Sequence, residues 1–184
     1  NGKWQDMLLM AIATIGVTIP SFVIASMLIY VFSFKLNVLP TFGLDSWKSY
    51  ILPVIAMGGY PVSYLARLMR SSLLEVMGQD YIRTARAKGL TEFAVVTKHA
   101  LRNALIPVIT VLGPTVAGLL TGSFVVEKIF AIPGIGYYFV NSVTQRDYTT
   151  IMGVTIFFAA FLMAMVLLVD IFYCLIDPRI KFDA

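Results

Sequence analysis

Catalysis needs a nucleophile beside a base, or a cluster of metal ligands, and this chain offers little of either. His99 is its one histidine and Cys174 its one cysteine, far apart in sequence. A lone histidine does not make a protein metal site, and a lone cysteine closes no internal disulfide. The sequence has no His-Glu-x-x-His helix, no Gly-x-Ser-x-Gly elbow and no phosphate loop ending in Gly-Lys-Ser/Thr. The chain therefore reads as a non-enzyme, with no cofactor or metal of its own. The groups left to explain are charges in unusual places. Asp170 stands inside an apolar run, where an ionisable side chain marks a solute path by default. The alternative is structural: it snorkels, or pairs with an arginine of the middle loop. Glu127 sits beside Lys128, which makes a local ion pair one reading. His99 is a candidate for hydrogen bonding at a membrane interface.

The elements that carry these residues are membrane spans. Of the 184 residues, 59% are hydrophobic and 13% are charged, against about 45–50% and about 25% in soluble domains. So few charges cannot clothe a water-soluble surface, and lipid has to be the solvent for much of the chain. Basic residues interrupted by long apolar runs argue against nucleic acid as a partner. A membrane helix takes about 20 mostly apolar residues, and four windows qualify. The first is Met7 to Phe34, with Pro20 in its middle. The second runs from Ile51 to about Met69 and holds Pro53, Gly58, Gly59 and Pro61. The third is about Leu105 to Val126, with Pro107, Gly113, Pro114, Gly118 and Gly122. The fourth is Ile151 to Ile176. Gly118 and Gly122 stand four apart and so share a helix face, for close packing or as a hinge. Phe157, Phe158 and Phe161 read as lipid or packing contacts. The expected fold is all-α: a polytopic membrane helix bundle, 1–184 as one domain, with four transmembrane helices and short cytoplasmic helices. The opening Asn1-Gly2-Lys3-Trp4 carries no signal-peptide pattern and reads as a loop cut in mid-protein.

Lysine and arginine in the loops set the orientation. One side would hold Lys3, Arg67, Arg70, Arg83, Arg86, Lys88, Lys98, Arg102, Arg179 and Lys181, and the other Lys35, Lys48, Lys128 and Arg146. Ten against four puts both termini and the long middle loop in the cytoplasm. Tyr137, Tyr138 and Tyr148 would flank the outer interface as an aromatic belt does, with Trp47 in the outer loop.

The middle loop, Asp80 to Arg102, is the informative segment. Ala85 and Ala87 among long straight side chains favour helix. Gly89 then stops it, as a glycine at a helix C-terminus does. Thr91 caps a second helix that begins near Glu92. Tyr81, Ile82, Ala85 and Leu90 are expected to be exposed on this helix–turn–helix. Such a protrusion either enters a groove on a partner, with basic side chains at the rim, or lies on anionic lipid.

The loop resembles the signature of the permeases of binding-protein-dependent ABC importers: Glu-Ala-Ala, three residues, Gly, nine residues, then Ile-x-Leu-Pro. Counted from Gly89, those slots fall on Arg83, Thr84 and Ala85, and on His99, Leu101 and Arg102. Ala85, Gly89 and Leu101 match and four slots depart. The departures, from Tyr81 to Leu90 and from His99 to Pro107, look like the dipeptide/oligopeptide branch, which includes nickel importers. Pro20-Ser21-Phe22 is similar to that branch's kinked first span. Glu127 with Phe130-Ala131-Ile132-Pro133-Gly134-Ile135-Gly136 resembles its outer loop, and Asp177-Pro178-Arg179 its C-terminal end.

The resemblance implies a pore-forming permease subunit for di- or oligopeptides, with nickel or another small solute as the alternative cargo; a membrane-embedded enzyme is the rival class. It implies a second permease subunit, two cytoplasmic ATPase subunits that hold the ATP and magnesium, and an extracytoplasmic substrate-binding protein, which would be the other contact open to Glu127. Tyr81, Arg83, Thr84, Ala85, Arg86, Ala87, Lys88, Gly89 and Leu90, with His99 and Leu101, would form the ATPase-coupling loop. Glu127, Phe130, Pro133, Gly134 and Gly136 would form the outer-loop motif. About two further helices would lie upstream.

Overall fold

The computed structural model describes residues 4–120 and 122–176, without the side chains at 169–170 and 172–176. Helix dominates, as it must where lipid offers the backbone no hydrogen-bond partners, and no strand occurs among the described residues. The chain runs as α1 (Trp4–Thr18), α2 (Ser21–Leu28) with a π-helical continuation (Ile29–Lys35), and a 3-10 turn (Trp47–Tyr50) leading into α3 (Ile51–Met77). Then come α4 (Asp80–Ala87), α5 (Glu92–Ala94), a second π-helical stretch (Val95–Ala100) and α6 (Leu101–Leu120). The short helices α7 (Phe124–Ile129) and α8 (Ile135–Gln145) precede the long α9 (Tyr148–Ile176).

Three helical stretches are long and apolar enough to cross a bilayer: Trp47–Met77, Glu92–Ile129 and Tyr148–Leu168. The first expected window departs from a straight span. α1 and α2 turn by 105° across Pro20 and make a fourth crossing only as a bent pair. Pro20 has no N–H for the Gly16 carbonyl, its ring clashes with a helix running into it, and Ile19 before it is pushed out of helical geometry. The third window also departs at both ends. Helix begins at Glu92, well before Leu105, and α6 stops at Leu120. Gly122 takes φ +84°, so it lies outside the helix and shares no helical face with Gly118.

α3 is the central strut. α1 packs on it through Gly16, where any β-carbon would collide with the Ser63 side chain and lie 3.3 Å from the Gly59 carbonyl oxygen; small residues let membrane helices approach this closely. Asp6 on the first turn of α1 takes a two-pronged contact from Arg70 of α3, Nε to Oδ1 at 2.7 Å and Nη2 to Oδ2 at 2.6 Å. α6 packs against both α3 and α9.

Two apolar clusters sit at opposite ends of α3. One gathers Leu52 and Ala56 with Ala25, Val126 and Phe130. The other gathers Ile82, Ala85, Val95 and Ala100, with Leu73, Val76 and Met77 of α3 packed on them. From Ala56 to Leu73 the helix rises about 25 Å, close to the thickness of a bilayer's hydrocarbon core. Asp147 caps α9, accepting the Thr150 backbone N–H at 3.1 Å and its hydroxyl at 2.5 Å. Asp177-Pro178-Arg179, like Lys3 and Lys181, lies outside the described residues, and Asp170 and Cys174 fall among the side chains not described.

Candidate functional site

The helix–turn–helix expected around Gly89 is present. α4 ends at Ala87, and Gly89 takes φ +77°, the left-handed region a residue without a β-carbon enters at least cost. The Thr91 hydroxyl accepts the Ala94 backbone N–H at 3.4 Å and so caps the next helix. Arg86 then reaches across the turn to Glu92, Nε to Oε1 at 2.7 Å and Nη2 to Oε2 at 3.3 Å. An exposed pair of this kind contributes about 0–1 kcal/mol, and it bridges the turn between α4 and α5. Tyr81 ties α4 to α6, its hydroxyl accepting from Asn103 Nδ2 at 2.7 Å.

The faces of α4 are not as expected. Ile82 is 0% and Ala85 5% exposed, both packed into the chain's own core. The reason is the second helix. α5 and the π-helical stretch fold back over α4 and lay Val95 and Ala100 on it, a long-range contact that the local sequence does not announce. Arg83, Thr84, Arg86, Ala87, Lys88, Gly89 and Leu90 do face outward. They are joined by Phe93, which is 80% exposed and was not among the expected residues. Its signal was present: an aromatic residue two positions after the cap Thr91. His99, in the π-helical stretch, and Leu101, the first residue of α6, are half-buried. No group of three His, Cys, Asp or Glu that could hold a metal exists among the described residues.

At the other end of α3, the outer-loop motif forms a second compact site. Glu127 neither pairs with Lys128 nor points outward. It is 7% exposed, and its Oε2 accepts the Tyr137 backbone N–H at 2.8 Å. The cause lies in the glycines. Gly134 stands at the N-cap of α8 and has no side chain to cap with, so the Glu127 carboxylate takes that role from α7. A negative group at a helix N-terminus also meets the positive end of the helix dipole. A β-carbon on Gly134 would lie 2.5 Å from Glu127 Oε2, one on Gly136 would lie 3.0 Å from it, and one on Gly122 would overlap Oε1. Gly122 and Gly134 thus make the pocket that the carboxylate fills, while Gly136 clears both it and Phe124, whose Cδ1 a β-carbon there would meet at 2.6 Å. Phe130 is buried in the adjoining apolar cluster, while Pro133 is exposed. Phe124 stacks on Phe139 at 5.0 Å and meets Phe158 edge-on at 5.9 Å, locking α7 and α8 to α9. The segment read as an outer loop is therefore two helices clasped by one acid.

A capped glycine turn thus stands at one end of an α-helical bundle with helices long and apolar enough to cross a membrane, and a clasped hairpin at the other. The chain belongs to the family of binding-protein-dependent transport system inner membrane components, which it matches over residues 1–182. Its relatives include the dipeptide transport system permease protein DppB of Bacillus subtilis (strain 168), 54% identical over 181 residues, or 98% of this chain and 58% of that protein. The DppB of Lactococcus lactis subsp. cremoris is 45% identical over 170 residues, 92% of this chain and 56% of the relative. The glutathione transport system permease protein GsiC of Escherichia coli (strain K12) is 46% identical over 182 residues, 99% of this chain and 60% of the relative. The chain spans less than two thirds of the length of each. These relatives are transport permeases, not enzymes.

Proposed function

We propose that the chain is part of the pore-forming permease subunit of an ABC importer that moves dipeptides or oligopeptides across the cytoplasmic membrane. ATP and magnesium would act on separate ATPase subunits, with a second permease chain and an extracytoplasmic substrate-binding protein completing the system. The Gly89 hairpin would face the cytoplasm, as the charge bias requires, and couple the ATPases to the pore. The observation that carries this reading is the hairpin tip. Leu90 and Phe93 are exposed on a turn held by Gly89, the Thr91 cap and the Arg86–Glu92 bridge. Apolar side chains on a rigid protrusion ringed by Arg83 and Lys88 fit an apolar groove with an acidic rim. Family membership and the permease relatives support the same reading.

The test is the full-length permease purified from membranes with its partners. Leu90→Asp combined with Phe93→Asp leaves the folded core untouched and should strip the ATPase subunits from the complex at unchanged permease abundance. Full ATPase retention in that double variant would overturn the docking role of the hairpin.

A further inference from the structure

We infer that the cavity where three proline-bearing spans meet is a contact site for the transported solute, built for the main chain of a short peptide and not for a metal ion. This rests on the permease reading above and deepens it. The cavity has a volume of about 590 Å³, within the range of about 300–1,000 Å³ of small-molecule sites. Each wall carries a proline: Pro20 at the 105° bend, Pro61 in α3 and Pro114 in α6. Pro61 lies ten residues into α3, or about 15 Å along it, which is membrane depth. Non-helical backbone at such depth persists only where protein buries it or an aqueous cavity borders it. Ile19 and Pro20, between α1 and α2, are such a segment, and they border this one.

The chemistry of the walls selects the solute. Tyr60 and Ser21 bring hydroxyl groups, and Pro61 has no N–H to give the Met57 carbonyl, so an acceptor on the wall lacks its usual intrahelical donor. These groups match the N–H and C=O groups of a peptide main chain. The remaining wall is largely apolar and accepts varied side chains. None of the described lining residues is charged. The carboxylate, imidazole and thiolate ligands that commonly hold nickel and similar transition-metal ions are absent from the described lining.

Gly118 supplies the test. It lines the cavity, and a β-carbon on it meets no atom within 4 Å. Gly58 on α3 is equally open and lies outside the lining. In vesicles holding the full-length permease and its partners, Gly118→Leu should lower uptake of a labelled dipeptide about tenfold, the scale of a modest steric conflict. Membrane abundance should hold, and Gly58→Leu should transport normally. Tyr60→Phe should raise KM more than it lowers the maximal rate. A Gly118→Cys variant in a Cys174→Ser background, which adds little bulk, should react more slowly with a thiol reagent when saturating dipeptide and binding protein are present. Normal uptake by Gly118→Leu, equal loss in Gly58→Leu, or no protection of Gly118→Cys overturns the cavity assignment and leaves the importer reading intact. An unsubstituted complex that takes up no dipeptide overturns the peptide reading itself.

Discussion

The two ends of α3 solve the same problem, a tight chain reversal next to a membrane helix, in opposite ways. At the α4 end, Gly89 adopts φ +77° and a β-carbon there would meet nothing within 4 Å. The constraint is backbone conformation alone, and the turn stands free for a partner. At the α7 end, the Glu127 carboxylate occupies the space that side chains at Gly122 and Gly134 would take, Phe124 and that carboxylate crowd Gly136, and Gly122 also holds φ +84°. That turn is closed, and its polar group is consumed inside the chain. An open turn whose geometry is set locally suits docking. A closed turn whose geometry is set by packing suits a fixed structural element. The comparison also teaches that a glycine in a motif carries no single meaning, since Gly89 needs an angle, Gly134 needs a vacancy and Gly122 needs both.

Gly134→Ala attacks the closed turn and is expected to have the largest effect. The added methyl would lie within 2.6 Å of the Glu127 carboxyl carbon, an overpacking that costs about 1–3 kcal/mol. The variant permease should lose thermal stability in detergent and fall in membrane abundance. Combining it with Glu127→Ala removes the clash, although the Tyr137 N–H then loses its acceptor. The double variant should therefore recover part of the loss. A Gly134→Ala protein as stable as the parent would break the account of the glycine pocket.

Gly89→Val attacks the open turn. A β-branched residue at positive φ costs roughly 1–2 kcal/mol, too little to prevent insertion, so abundance should hold while dipeptide uptake drops. Gly89→Asn, which tolerates the left-handed region, should retain much of the uptake. Equal uptake by the two variants and the parent would show that the angle at Gly89 does not matter to coupling. Ala85→Glu, by contrast, would not probe docking at all. Ala85 is buried under Val95 and Ala100, so a carboxylate there unfolds the hairpin.

The last measurement perturbs nothing and sharpens the comparison by locating the two ends. In a Cys174→Ser background, a cysteine at Ser46 should react with an impermeant thiol reagent applied outside cells, and one at Thr91 should not. The reverse pattern would invert the proposed orientation and move the Gly89 hairpin away from any cytoplasmic ATPase.

Much of this molecule was legible in its sequence, because much of it depends on local chemistry. The apolar windows, the stop at Gly89 and the cap at Thr91 follow from what lipid, a missing β-carbon and a hydroxyl do within a few residues. Proline at position 20 announced a kink, though only the assembled helices set the turn at 105°. The features that escaped are those made by residues far apart in the chain. Ile82 and Ala85 look exposed on an isolated α4 and are buried only when the next helix folds back over them. Asp6 and Arg70 are 64 residues apart and give no sign of each other. Glu127 beside Lys128 suggests a surface pair until α8 arrives and offers the Tyr137 N–H instead. Sequence alone determined which segments are apolar enough for a membrane and that the chain turns at Gly89, since both follow from the transfer free energy and the permitted dihedrals of neighbouring residues. Tertiary structure decided which of those turns stays open and which is filled, since that depends on which side chain the folded chain delivers to each glycine.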